Sequence, residues 1–79
     1  MAWVAPAGVQ AAGQFLVRVL RLDPASVVRL RPSPDAVEWW SRLPFGVLAS
    51  RRIPGVVPGD VTVRADALLA ALDPVGPLP

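Results

Sequence analysis

The sequence predicts an α+β domain with an N-terminal helix, a three- to four-stranded antiparallel sheet and a C-terminal helix. Three observations support this prediction. Residues 7–22 carry apolar side chains at helical spacing, residues 27–63 contain alternating segments divided by proline and glycine, and residues 65–72 are rich in alanine and leucine. Strands grouped between two helices are typical of α+β domains, with the helices on one face of the sheet.

Apolar residues at helical spacing define the first helix. Its stripe consists of Val9, Ala12, Leu16, Val19 and Leu20, with Phe15 and Val17 at the margins. We expect the helix to start near Ala7 and to end at Leu22, because Asp23 precedes a proline and such a residue is pushed out of the helical region. Residues 1–6 then form a short lead-in.

Turn residues divide the middle of the chain into short segments with strand character. The predicted strands cover residues 27–31, 37–43, 47–53 and 60–63. The prolines of residues 32–35 should end the first strand, and residues 54–59 should form a loop. The segment Pro44–Gly46 is compatible either with a tight turn or with a bulge inside one long strand.

The C-terminal part of the chain predicts a second helix over residues 65–72, which ends before Pro74. Residues 74–79 contain three prolines and predict a tail without regular structure. The predicted organisation is therefore a lead-in of residues 1–6, a single α+β domain of residues 7–73 and a proline-rich tail of residues 74–79.

The composition argues against an enzyme. The chain contains no His, Cys, Tyr, Lys or Asn, so its serines and its threonine have no histidine or lysine to act as a base. The good zinc ligands, His and Cys, are missing, and the spacing of the acidic residues does not resemble a calcium loop. We therefore expect no catalytic residue, no metal site and no cofactor. An enzyme assembled with another chain that supplies the catalytic groups stays an open alternative.

The short chain also has few ways to stabilise a fold. With 79 residues and no cysteine or histidine, neither a disulfide nor a zinc site can support it. In a chain of this size, the entropy lost on folding approximately cancels the free energy gained by apolar burial. Association with another chain is the remaining route, so we expect a homo-oligomer or a protein partner.

The arginines raise an alternative function. All eight basic residues are arginines, and the net charge is +2. Alternation places Arg29 and Arg31 on one strand face, and it places Arg51 and Arg52 on opposite faces of another strand. If these strands pair, three of the four arginines form a basic stripe of the kind that binds phosphates in nucleic acids. Ordinary solvation of an apolar sheet, and a GC-rich codon bias towards arginine, explain the same residues without such a function.

Two adjacent tryptophans indicate an interaction surface. Because Trp39 and Trp40 are neighbours in a strand, they must point to opposite faces, and only one of them can lie under the helices. Trp40 shares its face with Glu38 and Arg42, and exposed aromatics beside arginine are typical of interface hot spots. The predicted interface consists of Trp40, Glu38, Arg42 and Phe45. Packing of Trp40 under Arg42 or under a loop is the alternative. We expect a non-enzymatic interaction module that self-associates or binds a partner.

The N-terminal region does not predict a targeting signal. Residues 1–17 are uncharged, but they lack a positive start and a compact apolar run. Arg18 and Arg21 follow too soon for a membrane span of about 20 residues. The sequence therefore predicts a cytoplasmic protein without a membrane partner.

Three segments resemble known sequences. The first two are LDPASVVRLRP at residues 22–32 and WWSRLPFGVLASR at residues 39–51. They resemble small uncharacterised proteins of high-GC actinobacteria, a likeness that spans residues 14–72 and implies a bacterial source and a cytoplasmic location. The third, VTVRADALLAAL at residues 61–72, is similar to the strand-then-helix opening of bacterial DNA sliding-clamp domains. Neither resemblance implies a functional residue.

Overall fold

The computed structural model describes residues 3–72. Its elements are a short 3-10 helix Pro6–Gly8, α1 Val9–Leu22, β1 Val27–Ser33, β2 Ala36–Arg42, a 3-10 turn Pro44–Gly46, β3 Leu48–Ile53, β4 Val61–Arg64 and α2 Ala65–Leu72. The predicted α+β arrangement is confirmed, with four strands. The predicted tail of residues 74–79 lies outside the described residues.

The four strands form one antiparallel sheet in the order β3-β2-β1-β4. A two-residue turn at residues 34–35 joins β1 to β2. At the centre of the sheet, Trp40 lies opposite Arg29 of β1 and Ser50 of β3. The register is the one that buries alternate residues of the central strands under the helices.

The structure corrects the predicted end of β1 and decides between the two alternatives for Pro44–Gly46. β1 does not stop at Arg31 but continues through Pro32 to Ser33. β4 pairs only with the first four residues of β1, so Pro32 lies where β1 has a single neighbour, and proline is tolerated at such an edge. The segment Pro44–Gly46 is a tight turn rather than a bulge, because β2 and β3 pair on either side of it.

The core lies between one face of the sheet and the two helices. Its fully buried members include Leu16, Val19, Val28, Leu30, Val37, Trp39 and Ile53. The Phe15 ring meets the Trp39 ring edge to face, with 6.0 Å between centroids and an interplanar angle of 84°. This contact draws Phe15 into the core, whereas Val9, predicted to lie on the buried stripe, is 39% exposed.

The N-terminal segment packs against the loop that follows β3. Within the residues predicted as a lead-in, Val4 is buried in the core, and the Ala5 amide donates a hydrogen bond of 2.8 Å to the Pro54 carbonyl. Gly55 has a φ of 157°, and a Cβ atom at this position would collide with the Trp3 carbonyl oxygen. The absence of a side chain at Gly55 therefore permits this close approach.

A two-point ion pair spans the junction between β4 and α2. Arg64 donates from Nε to Asp66 Oδ1 at 3.1 Å and from Nη2 to Oδ2 at 2.8 Å. Hydrogen bonding and the opposite charge raise the pKa of the Arg64 guanidinium, and the same hydrogen bonding lowers the pKa of the Asp66 carboxyl below its ordinary value. Asp66 lies in the first turn of α2, where a negative charge is favourable.

In the part of the chain that the structure describes, neither helix has the length and apolar character needed to span a membrane.

Candidate interaction surface

The sheet face turned away from the helices has no covering element within residues 3–72. We call this surface the open face. It consists of Glu38, Trp40 and Arg42 from β2, Val27, Arg29 and Arg31 from β1, Leu48, Ser50 and Arg52 from β3, and Thr62 and Arg64 from β4. Trp39 is fully buried while Trp40 is partly exposed, so the predicted division of the two tryptophans between opposite faces is confirmed.

Strand register arranges the open face in rows that run across the strands. In the middle row, Trp40 lies between Ser50 and Arg29. In the next row, Glu38 lies between Arg52 and Arg31. Along β2 itself, Glu38 and Arg42 stand on either side of Trp40, two residues away in each direction. The centre of the face is therefore an aromatic ring with one acidic and one basic neighbour on the same strand.

Two shallow depressions flank Trp40. The larger has a volume of about 450 Å³ and is lined by Val27, Leu48, Thr62 and three arginines besides the Trp40 ring. The smaller, of about 180 Å³, lies on the side of Glu38 and Arg52. Trp40 thus lines both hollows. Its indole Nε1 is shielded from solvent and has no hydrogen-bond partner among the described residues.

Aspartates neutralise most of the arginines on the open face. Asp60 contacts Arg29 at 2.8 Å and Arg31 at 3.7 Å. Asp35 contacts Arg52 at 2.6 Å, and Arg64 is held by Asp66. All these partners are exposed, so each pair adds little stability. Their effect is to leave the face with almost no excess of charge.

Arg42 and Glu38 differ from the other charged residues of the open face. Within residues 3–72, neither takes part in an ion pair. Glu38 lies beside Arg31 and Arg52 in the register, but those guanidinium groups turn towards Asp60 and Asp35 instead. A negative side chain on one side of Trp40 and a positive side chain on the other are thus left without a partner among the described residues.

The predicted arginine stripe is present only in part. Arg29, Arg31 and Arg52 share the open face, and Arg51 lies on the opposite face, as alternation predicts. Glu38 interrupts the stripe, and the aspartates described above neutralise its members. Sequence reasoning missed these partners because Arg29 and Asp60 are 31 residues apart and meet only through the pairing of β1 with β4.

Phe45, the fourth predicted interface residue, lies apart from Trp40 at the tip of the turn between β2 and β3. Its side chain is fully exposed and lines neither depression. Its backbone has a φ of 64°, in the left-handed region that favours glycine. Leu48 and Val27, which sequence reasoning did not select, contribute more to the surface around Trp40, and only the strand register could have identified them.

Polar side chains that could support chemistry have structural roles where their contacts are defined. Ser41 Oγ donates to the Val27 carbonyl at 2.9 Å, and Ser33 Oγ donates to the Ala36 carbonyl at 2.9 Å. Within residues 3–72, no group of three acidic side chains is placed to hold a metal ion.

Residues 3–72 define a small two-layer α+β domain in which two helices cover one side of a four-stranded antiparallel sheet and no described element covers the other. The chain belongs to the family described as Domain of unknown function (DUF8010), whose family model matches residues 2–77. No curated protein and no solved structure matches the chain.

Proposed function

We propose that this domain is a non-enzymatic module that binds another protein chain through its open face. The observation that carries the proposal is the position of Trp40, a partly exposed aromatic ring at the centre of an uncovered sheet face. Leu48 and Val27, which are 56% and 48% exposed, extend the apolar surface beside it. A cytoplasmic location and an actinobacterial source, both expected from the sequence, stay predictions.

The chemistry of this surface is that of a binding hot spot. Tryptophan and arginine are enriched at positions where truncation costs the most binding energy, and such positions lie at the centre of a contact with polar residues around them. Trp40 occupies the centre of the open face, and charged pairs such as Arg52 with Asp35 lie at its margin. A partner that covers Trp40 would exclude water from an apolar centre while the rim stays hydrated.

Nucleic-acid binding is the alternative, and the five arginines and one tryptophan of the open face favour it. Arginine contacts phosphates, and an aromatic ring stacks on bases. Four of these arginines already contact an aspartate, so a phosphate would have to displace that carboxylate. The protein partner therefore agrees better with the charge balance of the surface.

A photo-crosslinking side chain on each side of the domain tests the proposal. Leu48→p-benzoylphenylalanine places the probe on the open face, and Val17→p-benzoylphenylalanine places it on the outer side of α1, where Val17 is 40% exposed. In cells that naturally produce the chain, we expect a protein adduct from position 48 and none from position 17. Adding Trp40→Ala should reduce the adduct from position 48 about tenfold or more, as expected for a hot spot.

Two results would contradict the proposal. Equal adducts from both positions would mean that the open face has no special role. An adduct from position 48 that nuclease removes, and that weakens steeply between about 0.1 M and about 1 M salt, would favour the nucleic-acid alternative.

A further inference from the structure

We propose that the partner on the open face is a second copy of this chain, held so that the two β2 strands run antiparallel across a two-fold axis at Trp40. Glu38 of each copy then pairs with Arg42 of the other. This inference rests on the proposed function, since it uses the same face and names its occupant.

The spacing of three residues on β2 is the first observation. Glu38, Trp40 and Arg42 alternate with buried residues and therefore point to the same side. Successive residues on one side of a strand are roughly 7 Å apart, so the two charges stand at equal distances from the Trp40 ring. A two-fold axis that crosses the strand at Trp40 exchanges the two positions. It therefore brings opposite charges together twice.

The distribution of partners is the second observation. The other four arginines of the open face each contact an aspartate of their own chain. Within the described residues, Glu38 and Arg42 make no such contact. The unmatched charges of the surface are thus one of each sign, which is what a self-complementary contact needs.

The charges of β2 also favour this orientation of the two copies. If the axis ran parallel to β2, Glu38 would face the same residue of its partner, and so would Arg42. Like charges opposed in a contact oppose association, whereas the antiparallel arrangement replaces both repulsions by attractions. Two sheets stacked in this way pack about 10 Å apart and within about 30° of alignment, which leaves room for one layer of side chains. The hollows beside Trp40 can accept the ring of the other copy.

The size of the face sets the expected strength of the dimer. Four strands about 4.8 Å apart, each about six residues long, present roughly 400 Å² of sheet. A standard specific interface buries about 800 Å² on each partner. We therefore expect a weak dimer that exchanges with monomer.

A cycle of charge reversals tests the pairing. The variants are Glu38→Arg, Arg42→Glu and the double variant that carries both changes. Sedimentation equilibrium of the purified chains from roughly 10 µM to roughly 1 mM measures the dimer dissociation constant. Each single reversal should weaken dimerisation about tenfold or more, because it turns two attractions into two repulsions. The double variant should return to within about threefold of the parent chain, because it restores both pairs with the signs exchanged.

Control variants distinguish the loss of the Glu38–Arg42 pairs from unfolding of the chain. Arg18→Glu changes the same charge on the outer surface of α1 and should leave the dissociation constant unchanged. Glu38→Arg places a third positive charge between Arg31 and Arg52 and can unfold the chain for that reason. In that case, Glu38→Gln and Arg42→Gln remove the pairs without adding repulsion. Each should weaken dimerisation about threefold or more.

Three outcomes would overturn the inference: a parent chain that stays monomeric over the whole range, single variants that dimerise like the parent, or a double variant no better than the single variants. The proposed function fails separately. A protein adduct from position 48 in cells, together with a monomeric purified chain, would leave the interaction module intact with a different partner.

Discussion

Among single residues, Phe45 combines an unfavourable backbone conformation with an unfavourable side-chain environment. Its φ of 64° is uncommon for a residue with a large side chain, and its ring is fully exposed to water. The next residue, Gly46, has a φ of 75° and adopts this conformation without cost. A strained and exposed aromatic residue is of the kind that function can retain against stability.

Replacing Phe45 by asparagine should therefore stabilise the isolated domain. Asparagine tolerates the left-handed region better than phenylalanine, so we expect Phe45→Asn to raise the free energy of unfolding by about 0.5 kcal/mol. Urea unfolding at a concentration below that of dimerisation measures the effect. As the matched control, Gly46→Ala should lower stability by about 1 kcal/mol. A loss of stability in Phe45→Asn would mean that the phenyl ring makes a favourable contact in the monomer.

For single residues, the sequence predicts which face of the sheet a side chain points to better than it predicts the contacts of that side chain. The opposite orientation of Trp39 and Trp40, and the shared face of Glu38 and Arg42, follow from the two-residue period of a strand. The aspartate partners of the arginines do not follow from that period. In the sequence, Asp35 and Asp60 are turn residues, and their second role depends on pairing between distant strands.

At the scale of elements, the loop after β3 and the N-terminal segment depend on each other. The hydrogen bond from Ala5 to Pro54 and the close approach of Trp3 to Gly55 join them. This contact seals the core at Val4, which is 2% exposed. The loop is therefore part of the folded unit rather than a simple connection.

Alanine substitutions at two glycines should have opposite effects. Gly55→Ala forces a Cβ atom into the Trp3 carbonyl at a φ of 157°, so we expect a loss of about 2 kcal/mol or more in the free energy of unfolding. Gly13 lies in the middle of α1, and an added methyl group there would meet nothing within 4 Å outside its own helix, so Gly13→Ala should add about 0.5–1 kcal/mol. Urea unfolding compares both with the parent chain. Equal stability of the two variants would contradict this account of the loop.

The existence and type of each element were predictable, while some boundaries were not. Helical and alternating patterns identified α1, α2 and the four strands. The rule that proline ends a strand failed at Pro32, because the neighbouring strand β4 is too short to reach that position. The buried side of α1 shifted towards Phe15, because an aromatic contact with Trp39 outweighed the simple apolar stripe.

At the scale of the molecule, the described part of the chain forms two layers. Its Cα atoms extend 37 by 33 Å in two directions but only 17 Å in the third. One sheet face is therefore buried and the other is available to a partner. A chain without cysteine or histidine, and so without a disulfide or the good zinc ligands, gains stability most directly by covering that second face.

The thermal midpoint should therefore depend on protein concentration. If dimerisation through the open face stabilises the folded state, the midpoint should rise by a few degrees between roughly 10 µM and roughly 1 mM. Differential scanning calorimetry measures this shift. Trp40→Ala should lower the midpoint at high concentration and remove most of the dependence. The same slope in the parent and in Trp40→Ala would contradict a stabilising role for this face.

The fold class was predictable from the sequence because local patterns determine it. The strand order β3-β2-β1-β4 was not, because it depends on pairing between segments far apart in the chain. This order brings Val27 and Leu48 to either side of Trp40. Trp40 could thus be predicted from the sequence as a candidate interface residue, while most of the residues around it could not.

The two neighbouring tryptophans also bear on how β2 finds its alignment. If β2 slipped by one residue against its neighbours, Trp40 would simply take the place of Trp39 under the helices, so the rings alone do not distinguish the two alignments. The same slip would bury Glu38 and Arg42 in the apolar core, where unpaired charges are very costly. These two residues therefore oppose misfolding of the sheet, and they would do so with either sign of charge.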